Sequence, residues 1–189
     1  MRVFVAIDLP PETRARLETL LADLRHMPLR IGWARPEGIH LTLRFLGEVP
    51  EGSLEVITGA LERAARAQAP FSLEVAGVGT FPVRGAPRVL WAGVGGETGP
   101  MATLKRTIEK NLEAAGFAPD DRGFQPHLTL GRVKGPGLGD WRSIMTLHAE
   151  ERFGSFEVRE IVLFESQLTP AGALYRALRR FPLRGSATA

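Results

Sequence analysis

The sequence predicts an α+β fold of two similar lobes that share a central cleft. The first observation behind this prediction is a repeated tetrapeptide, because the letters HLTL at 40–43 return at 127–130. The second is a repeated order of elements, since each half of the chain reads as strand, helix, motif strand, helix and strand. A pseudo-twofold relation between the halves would bring one His/Thr strand from each lobe to the cleft.

The first half contains short apolar runs that alternate with leucine-rich helical patterns. Its opening run, RVFVAID, is rich in β-branched and aromatic residues, as buried strands are. Pro10 and Pro11 then begin a helix whose leucines follow helical spacing, and Pro28 ends it. The elements predicted for this half are a strand at 2–8, that helix, the motif strand at 39–46, a helix after Pro50 and a strand at 71–79.

The second half repeats this order. Thr98 and Pro100 begin a helix, and Gly116 suits its C-terminal cap. The predicted elements are a strand at 88–94, that helix, the motif strand at 126–133, a short helix at about 140–147, one bent or two strands at 155–168 and a strand at 173–181. We expect one bilobal domain over residues 1–182 and a disordered tail of small and polar residues at 183–189.

The composition is that of an ordinary globular chain of 189 residues with a net charge of +3. It contains no cysteine, which excludes disulfides, thiol nucleophiles and cysteine metal sites. Only three of the 24 basic residues are lysines, and arginine suits phosphate oxygens, although coding bias or thermal adaptation accounts for the excess equally well. Neither a signal peptide nor a membrane span is visible, so we expect a cytoplasmic protein.

The repeated motif carries the chemistry that the sequence predicts. Side chains of a strand alternate between faces, so His40 and Thr42 share one face, as do His127 and Thr129. Two facing histidines can hold one neutral and one protonated ring, which permits concerted acid–base catalysis. The threonine hydroxyls can donate to the non-bridging oxygens of a phosphoryl group. The pattern therefore indicates displacement at phosphorus.

Two other interpretations of the motif are open. A single HxT sequence is common by chance, and its polar face can simply be wet, but two copies at corresponding places argue against that. A catalytic zinc site usually needs three protein ligands, and neither motif offers a third. The sequence therefore predicts no metal and no other cofactor.

Three segments together resemble a known family: RVFVAIDLP, HLTLRFLGE and QPHLTLGR. They are similar to the two-histidine (2H) phosphoesterases with paired HxTx motifs, and within these to the RNA 2′,3′-cyclic phosphodiesterases, also called 2′-5′ RNA ligases. The resemblance runs from about Arg2 to Pro182. It implies two antiparallel sheets with flanking helices, with the HxTx strands lining the cleft.

The resemblance also implies roles for particular residues. In such enzymes the first-motif histidine, here His40, is the proton donor, and the second, here His127, is the proton acceptor. Thr42 and Thr129 hold phosphate oxygens. The arginine that follows the second motif is Arg132, which is expected to contact the phosphate.

Strict alternation disagrees with this placement of Arg132. It puts Arg132 on the leucine face and Arg44 beside His40, so the sequence leaves open which arginine faces the phosphate. A bulge at Gly131 would turn Arg132 inward. Phe45 follows His40 by five residues, as Arg132 follows His127. Phe45 would therefore occupy the equivalent position in the first lobe and contact the base.

The implied activity is metal-independent hydrolysis of an RNA-terminal 2′,3′-cyclic phosphate to a 2′-phosphate, with reversible, ATP-independent 2′-5′ RNA ligation. The expected partners are RNA ends with a cyclic phosphate, such as tRNA fragments, and the protein is expected to be a monomer. Two alternatives remain: a cyclic phosphodiesterase that acts on small nucleotides, and a non-catalytic RNA-binding module. The latter would bind RNA in a salt-dependent way without turnover.

Overall fold

The computed structural model describes residues 1–120, 123–135, 140–170 and 172–186. These residues form four α-helices and nine strands, in the predicted order apart from one short strand at 31–33 that the sequence did not predict. The helices are α1 (Pro11–Arg25), α2 (Leu54–Ala67), α3 (Thr98–Ala114) and α4 (Trp141–Leu147). The strands are β1 (Arg2–Ile7), β2 (Ile31–Trp33), β3 (Leu41–Glu48), β4 (Phe71–Phe81), β5 (Val89–Gly96), β6 (His127–Val133), β7 (Arg152–Val158), β8 (Glu160–Thr169) and β9 (Gly172–Pro182).

The strands form one antiparallel sheet whose order is symmetric about its centre. The order is β7-β4-β5-β6-β3-β1-β8-β9, with β2 paired to β6 outside this path. One strand of each half pairs with a strand of the other half, because β4 pairs with β5 and β8 pairs with β1. The two motif strands meet at the middle, where Leu41 pairs with Leu128. The α+β fold with two repeated halves is confirmed, and the two expected sheets are joined into one.

The motif leucines and the helices share the main core. Leu17 and Leu21 of α1 are fully buried, as the helical spacing of the leucines predicts. Leu41 and Leu128 belong to the same apolar cluster, so the leucine face of each motif strand lies toward the core. On β1, alternation sends Val3 and Val5 into this core. The opposite face of β1 is the one that borders the cleft.

A second, smaller apolar cluster lies on the cleft side of the first lobe. It consists of Phe4, Ala6, Val162 and Phe164, contributed by β1 and β8. Val162 and Phe164 come from the C-terminal part of the chain, so β8 completes the floor beneath the first motif. This cluster makes the surroundings of the first histidine apolar.

The expected tail at 183–189 begins with residues that contact the body of the protein. Leu183 is buried, and its N–H donates to the carbonyl oxygen of Arg159 at 2.8 Å. The N–H of Gly185 donates to the carbonyl oxygen of Gln68 at 2.9 Å. The packed chain therefore extends at least to Gly185, while residues 187–189 lie outside the described ones. Within the described ranges, no helix has the length and apolar character that a membrane span needs.

Candidate active site

A cavity of about 770 Å³ lies where the two motif strands meet. All six site residues predicted from the sequence line it: His40, Thr42, Phe45, His127, Thr129 and Arg132. The size is typical of a small-molecule or nucleotide site. The structure therefore brings together side chains that lie in opposite halves of the sequence.

Both motif strands contain a bulge at the same place, directly after the threonine. In β3, Thr42 pairs with Ala6 and Arg44 with Val5, so Leu43 is the extra residue. In β6, Thr129 pairs with Trp91 and Gly131 with Leu90, which makes Leu130 the extra residue. A bulge shifts the alternation of side chains by one position. Phe45 and Arg132 consequently lie on the histidine face, while Arg44 and Gly131 lie on the other.

Gly131 has a steric reason to be glycine. A Cβ atom at this position would clash with Cγ2 of Ile31, because β2 packs closely against β6 there. The bulge expected at Gly131 lies one residue earlier, at Leu130, directly beside the close approach of β2. Sequence alternation fails at this point because it assumes an unbroken ladder.

Each motif histidine is held by the same hydrogen bond. Nδ1 of His40 lies 2.8 Å from the carbonyl oxygen of Gly38, and Nδ1 of His127 lies 2.7 Å from the carbonyl oxygen of Gln125. A carbonyl oxygen only accepts, so Nδ1 carries the proton in both rings. In the neutral ring, Nε2 is then a free acceptor. Both histidines are thus set up to exchange protons through Nε2.

His40 is enclosed by aromatic rings of the first lobe. Its ring stacks on Phe4 with centroids 4.6 Å apart, and the edge of Tyr175 approaches it at 5.0 Å. The segment before His40 is tied down by Arg14, which donates to the carbonyl oxygens of Pro36 at 2.5 Å and Ile39 at 3.2 Å. Arg14 is itself held by Asp8, with the charged atoms 2.7 Å apart. The ring therefore has little freedom to move.

These surroundings change the acidity of His40. Burial among the aromatic rings penalises the charged form and lowers the pKa of His40 to about 4. The hydrogen bond to Gly38 and the charge of Asp8 raise the pKa, whereas the charge of Arg14 lowers it further, but burial is the largest cause. With this pKa, His40 is neutral at neutral pH.

His127 has more open surroundings. The ring of Phe81 meets it edge-on with centroids 4.9 Å apart, and Phe81 in turn lies beside Trp91 at 5.3 Å. Trp91 lies flat across β4 because Gly79 has no side chain, and a Cβ there would clash with the indole. Among the described residues, Phe81 is thus the only aromatic ring in contact with His127.

The two candidate arginines differ in their contacts. Arg44 is 7% exposed, with Nε 3.4 Å from a carboxylate oxygen of Glu109 and Nη1 3.4 Å from one of Asp120. It also donates to the carbonyl oxygen of Ala118. Arg132 is exposed at the cavity, and no carboxylate of the described residues pairs with it. Arg44 therefore ties β3 to α3 and the segment before β6, while the guanidinium of Arg132 is available to a ligand.

Phe4, Tyr175 and Lys134 are among the residues of the cavity region that sequence reasoning missed. Phe4 was predicted only as part of a buried strand, and Tyr175 only as part of the last strand, although Tyr175 is the single tyrosine of the chain. Lys134 also lines the cavity and is one of only three lysines. Rarity in the composition is the one signal that could have drawn attention to Tyr175 and Lys134. Among the described residues, no group of three or more His, Asp or Glu side chains is placed to hold a metal ion.

Comparison with known proteins agrees with this geometry. The model of the LigT-like phosphoesterases matches residues 7–91 and 96–175 of the chain, each segment containing one motif. The chain belongs to this family. The 2H family resemblance stated from the motifs is thereby confirmed.

Individual relatives match over nearly the full length. An RNA 2′,3′-cyclic phosphodiesterase of Archaeoglobus fulgidus is 39% identical over 183 residues, covering 96% of this chain and 99% of its own. A crystal structure from Thermus thermophilus superposes with a TM-score of 0.82 at 34% identity, covering 98% and 99% of the two chains. Escherichia coli LigT in complex with 3′-AMP has a TM-score of 0.76 at 26% identity, covering 96% and 97%.

Proposed function

We propose that this LigT-like phosphoesterase is an RNA 2′,3′-cyclic phosphodiesterase that hydrolyses the terminal cyclic phosphate to a 2′-phosphate. The observation that carries the proposal is the pair of histidines at one cavity, each with Nδ1 bound to a carbonyl and Nε2 left to exchange a proton. The relatives named as RNA 2′,3′-cyclic phosphodiesterases support the substrate class. Residues 1–182 would act as one domain, since both halves contribute a histidine.

In the proposed reaction, the cyclic phosphate lies between the two histidines. Thr42, Thr129 and Arg132 bind its non-bridging oxygens, which favours the charge that develops in the transition state. Nε2 of His127 takes a proton from a water molecule as its oxygen attacks phosphorus. The bond from phosphorus to the ribose 3′-oxygen breaks, and His40 gives that oxygen a proton. The phosphate remains on the 2′-oxygen.

The donor role of His40 requires a proton that the ring, with its lowered pKa, does not hold at neutral pH before the substrate binds. Burial lowers the pKa of His40 to about 4, whereas an anionic phosphate beside the ring favours the imidazolium and raises the pKa. Substrate binding would therefore be coupled to proton uptake at His40. The hydrogen bond from Nδ1 to Gly38 stabilises the same charged form.

The aromatic side of the cavity suits the terminal base. Phe45 and Tyr175 are each 39% exposed and line the cavity on the side of His40. An exposed aromatic ring can stack on any base, which fits an enzyme that acts on RNA ends of varied sequence. The nucleoside that carries the cyclic phosphate would then lie in the first lobe, with its 3′-oxygen toward His40.

The same site can join RNA ends without ATP. If a 5′-hydroxyl of RNA replaces water, its attack forms a 2′-5′ linkage and releases the same 3′-oxygen. The reverse reaction uses the same two histidines with their roles exchanged. Ligation would therefore be an alternative outcome of the hydrolytic mechanism.

The proposal is tested with an RNA oligonucleotide that ends in a 2′,3′-cyclic phosphate. The expected product is a terminal 2′-phosphate, identified by mass and by resistance to enzymes that need a 3′-phosphate. Turnover is expected to survive exhaustive treatment with EDTA, because the proposed reaction uses only side chains. No hydrolysis by the wild type, or activity that EDTA abolishes and one divalent ion restores, would contradict it.

A second candidate substrate class is a small cyclic nucleotide. The observation that favours it is the complex of E. coli LigT with 3′-AMP, a mononucleotide. Comparing kcat/KM for a nucleoside 2′,3′-cyclic phosphate with that for an RNA-terminal one separates the two classes. We expect the RNA end to be the better substrate.

A further inference from the structure

Three cationic side chains lie together on the second lobe: Arg30, Arg132 and Lys134. Of these, only Arg132 has a role in the reaction proposed above. Arg132 and Lys134 belong to β6 and its C-terminal end, and Arg30 directly precedes β2. All three side chains are exposed. We call this group the basic triangle.

The pairing of β2 with β6 puts the basic triangle on one face. Gly32 pairs with Arg132, and the N–H of Lys134 donates to the carbonyl oxygen of Arg30 at 2.8 Å. Directly opposed residues of an antiparallel pair project to the same side of the sheet, as do residues two apart on one strand. Arg30, Lys134 and Arg132 therefore surround Gly32 on the cavity side of the ribbon.

Gly32 makes room for the side chain of Lys134. A Cβ at residue 32 would lie 2.7 Å from Cε of Lys134, so the lysine stem lies across the position that a side chain would occupy. Lys134 and Gly32 both line the cavity. The absence of a side chain at residue 32 therefore lets the lysine stem pack against β2 at the edge of the cavity.

The charges of the basic triangle are not neutralised by the described part of the chain. Among those residues, no carboxylate pairs with Arg30, Lys134 or Arg132. Two cations that line the cavity are different: Lys105 lies 2.8 Å from a carboxylate oxygen of Glu109, and Arg44 is paired with the same residue. Exposed cations without a carboxylate partner attract the phosphate backbone of a nucleic acid.

The position of the triangle indicates which strand it binds. In an in-line displacement, the attacking oxygen and the leaving oxygen lie on opposite sides of phosphorus. The aromatic residues Phe45 and Tyr175 lie on the side of His40, where the leaving 3′-oxygen would be. The basic triangle lies on the side of His127, the proton acceptor, where the attacking oxygen must enter.

We propose that Arg30, Lys134 and Arg132 form a subsite for the phosphate backbone of the RNA strand whose 5′-hydroxyl is joined to the cyclic phosphate. The inference rests on the proposed function and extends it to the second RNA strand. In the joining step, the 5′-oxygen forms a bond to phosphorus and its proton passes to His127. The bond to the 3′-oxygen breaks, and that oxygen receives a proton from His40.

The test measures the reverse step, cleavage at a 2′-5′ linkage, with two substrates. One is a 2′-5′-linked dinucleotide, whose only phosphate is the scissile one; the other adds a third nucleotide, and hence one phosphate, to the strand that leaves with a 5′-hydroxyl. We expect wild type to prefer the trinucleotide about tenfold in kcat/KM at low salt, and the preference to weaken as salt rises. The double variant K134A/R30A should lose the preference.

Two controls separate this proposal from a general loss of function. The double variant should hydrolyse an RNA-terminal cyclic phosphate within about threefold of wild type, because water needs no backbone subsite. The matched variant K110A/R16A removes one lysine and one arginine that are exposed but do not line the cavity, and it should keep the preference.

Other outcomes overturn the proposal. A preference that survives K134A/R30A, or a wild type that cleaves neither substrate or both equally, would mean that no such subsite exists. Equal losses in cleavage and in hydrolysis would place these residues on the strand that carries the cyclic phosphate. Failure of the wild type to hydrolyse cyclic phosphates at all would instead refute the proposed function.

Discussion

The two motif strands have nearly the same backbone but very different surroundings. Both contain a bulge after the threonine and a histidine whose Nδ1 binds the carbonyl two residues earlier. His40, however, stacks on Phe4 and touches Tyr175, whereas among the described residues His127 meets only the edge of Phe81. The repeat therefore preserves the backbone hydrogen bond that holds each histidine, while burial in the first lobe lowers the pKa of His40.

The difference extends to the residues that follow each motif. At the position after the bulge, β3 has Arg44 and β6 has Gly131; one position later, β3 has Phe45 and β6 has Arg132. The first lobe therefore presents an aromatic ring to the cavity where the second presents a cation. An asymmetric substrate, with a base at one end and a phosphate at the other, suits such a cleft.

The largest expected effect comes from removing either histidine. His40→Ala and His127→Ala should each reduce kcat for hydrolysis of an RNA-terminal cyclic phosphate by about 10²- to 10⁴-fold, the usual size of a general acid or base contribution. Circular dichroism and the thermal midpoint of each variant verify the fold. Activity close to wild type in either variant would show that the reaction does not need both histidines.

Substitution of Arg44 should mainly reduce the stability of the fold, whereas substitution of Arg132 should mainly reduce activity. Arg44→Ala should lower the free energy of unfolding by about 3 kcal/mol, because it leaves the carboxylates of Glu109 and Asp120 without this partner. Arg132→Ala should leave the unfolding midpoint in urea unchanged but reduce kcat/KM by about 10- to 100-fold. If Arg132→Ala unfolds more easily and Arg44→Ala does not, the contacts assigned to them are wrong.

Burial of His40 should make the stability of the protein depend on pH. The folded-state pKa of His40 is lowered to about 4 from its ordinary value, so the unfolded chain binds more protons between these two values. The contribution of this group is present at pH 7 and is lost as the pH falls toward 4. Between pH 7 and 5, wild type should lose about 2 kcal/mol more than His40→Gln.

The matched variant for this comparison is His127→Gln. It should retain the decline between pH 7 and 5 that His40→Gln lacks, as measured by urea unfolding at both pH values. Equal declines in all three proteins would mean that the aromatic enclosure does not disfavour the charged ring of His40.

The smallest effect is expected from substitution of Phe45, the residue of the first lobe that is equivalent to Arg132. Phe45→Ala should raise KM for RNA-terminal cyclic phosphates about tenfold with little change in kcat, because stacking of the base contributes to binding and not to proton transfer. Phe45→Trp should restore the KM. A fall in kcat with unchanged KM would assign Phe45 to the support of His40 instead.

The sequence predicts much of this arrangement because the motif is local. Alternation along a strand places His40 and Thr42 on one face. The repeat of the motif predicts that His127 and Thr129 face them across the cleft. The partners of strands β4 and β8 are not predictable in this way, since pairing between distant strands leaves no local pattern. Gly131 signals the bulge in β6, but nothing comparable marks Leu43 in β3. The aromatic enclosure of His40 depends on Tyr175, which only the folded chain brings near.

The most direct test of the division of roles uses a leaving group that needs no proton. In uridine 2′-(4-nitrophenyl phosphate), the 3′-hydroxyl attacks phosphorus and 4-nitrophenolate leaves. In this direction His40 is the base, and His127, on the side of the leaving group, becomes dispensable as an acid. The account predicts that His127→Ala releases nitrophenolate at a rate within about tenfold of wild type, while His40→Ala is at least about 100-fold slower. The opposite ranking of the two variants would contradict the assignment of His40 and His127.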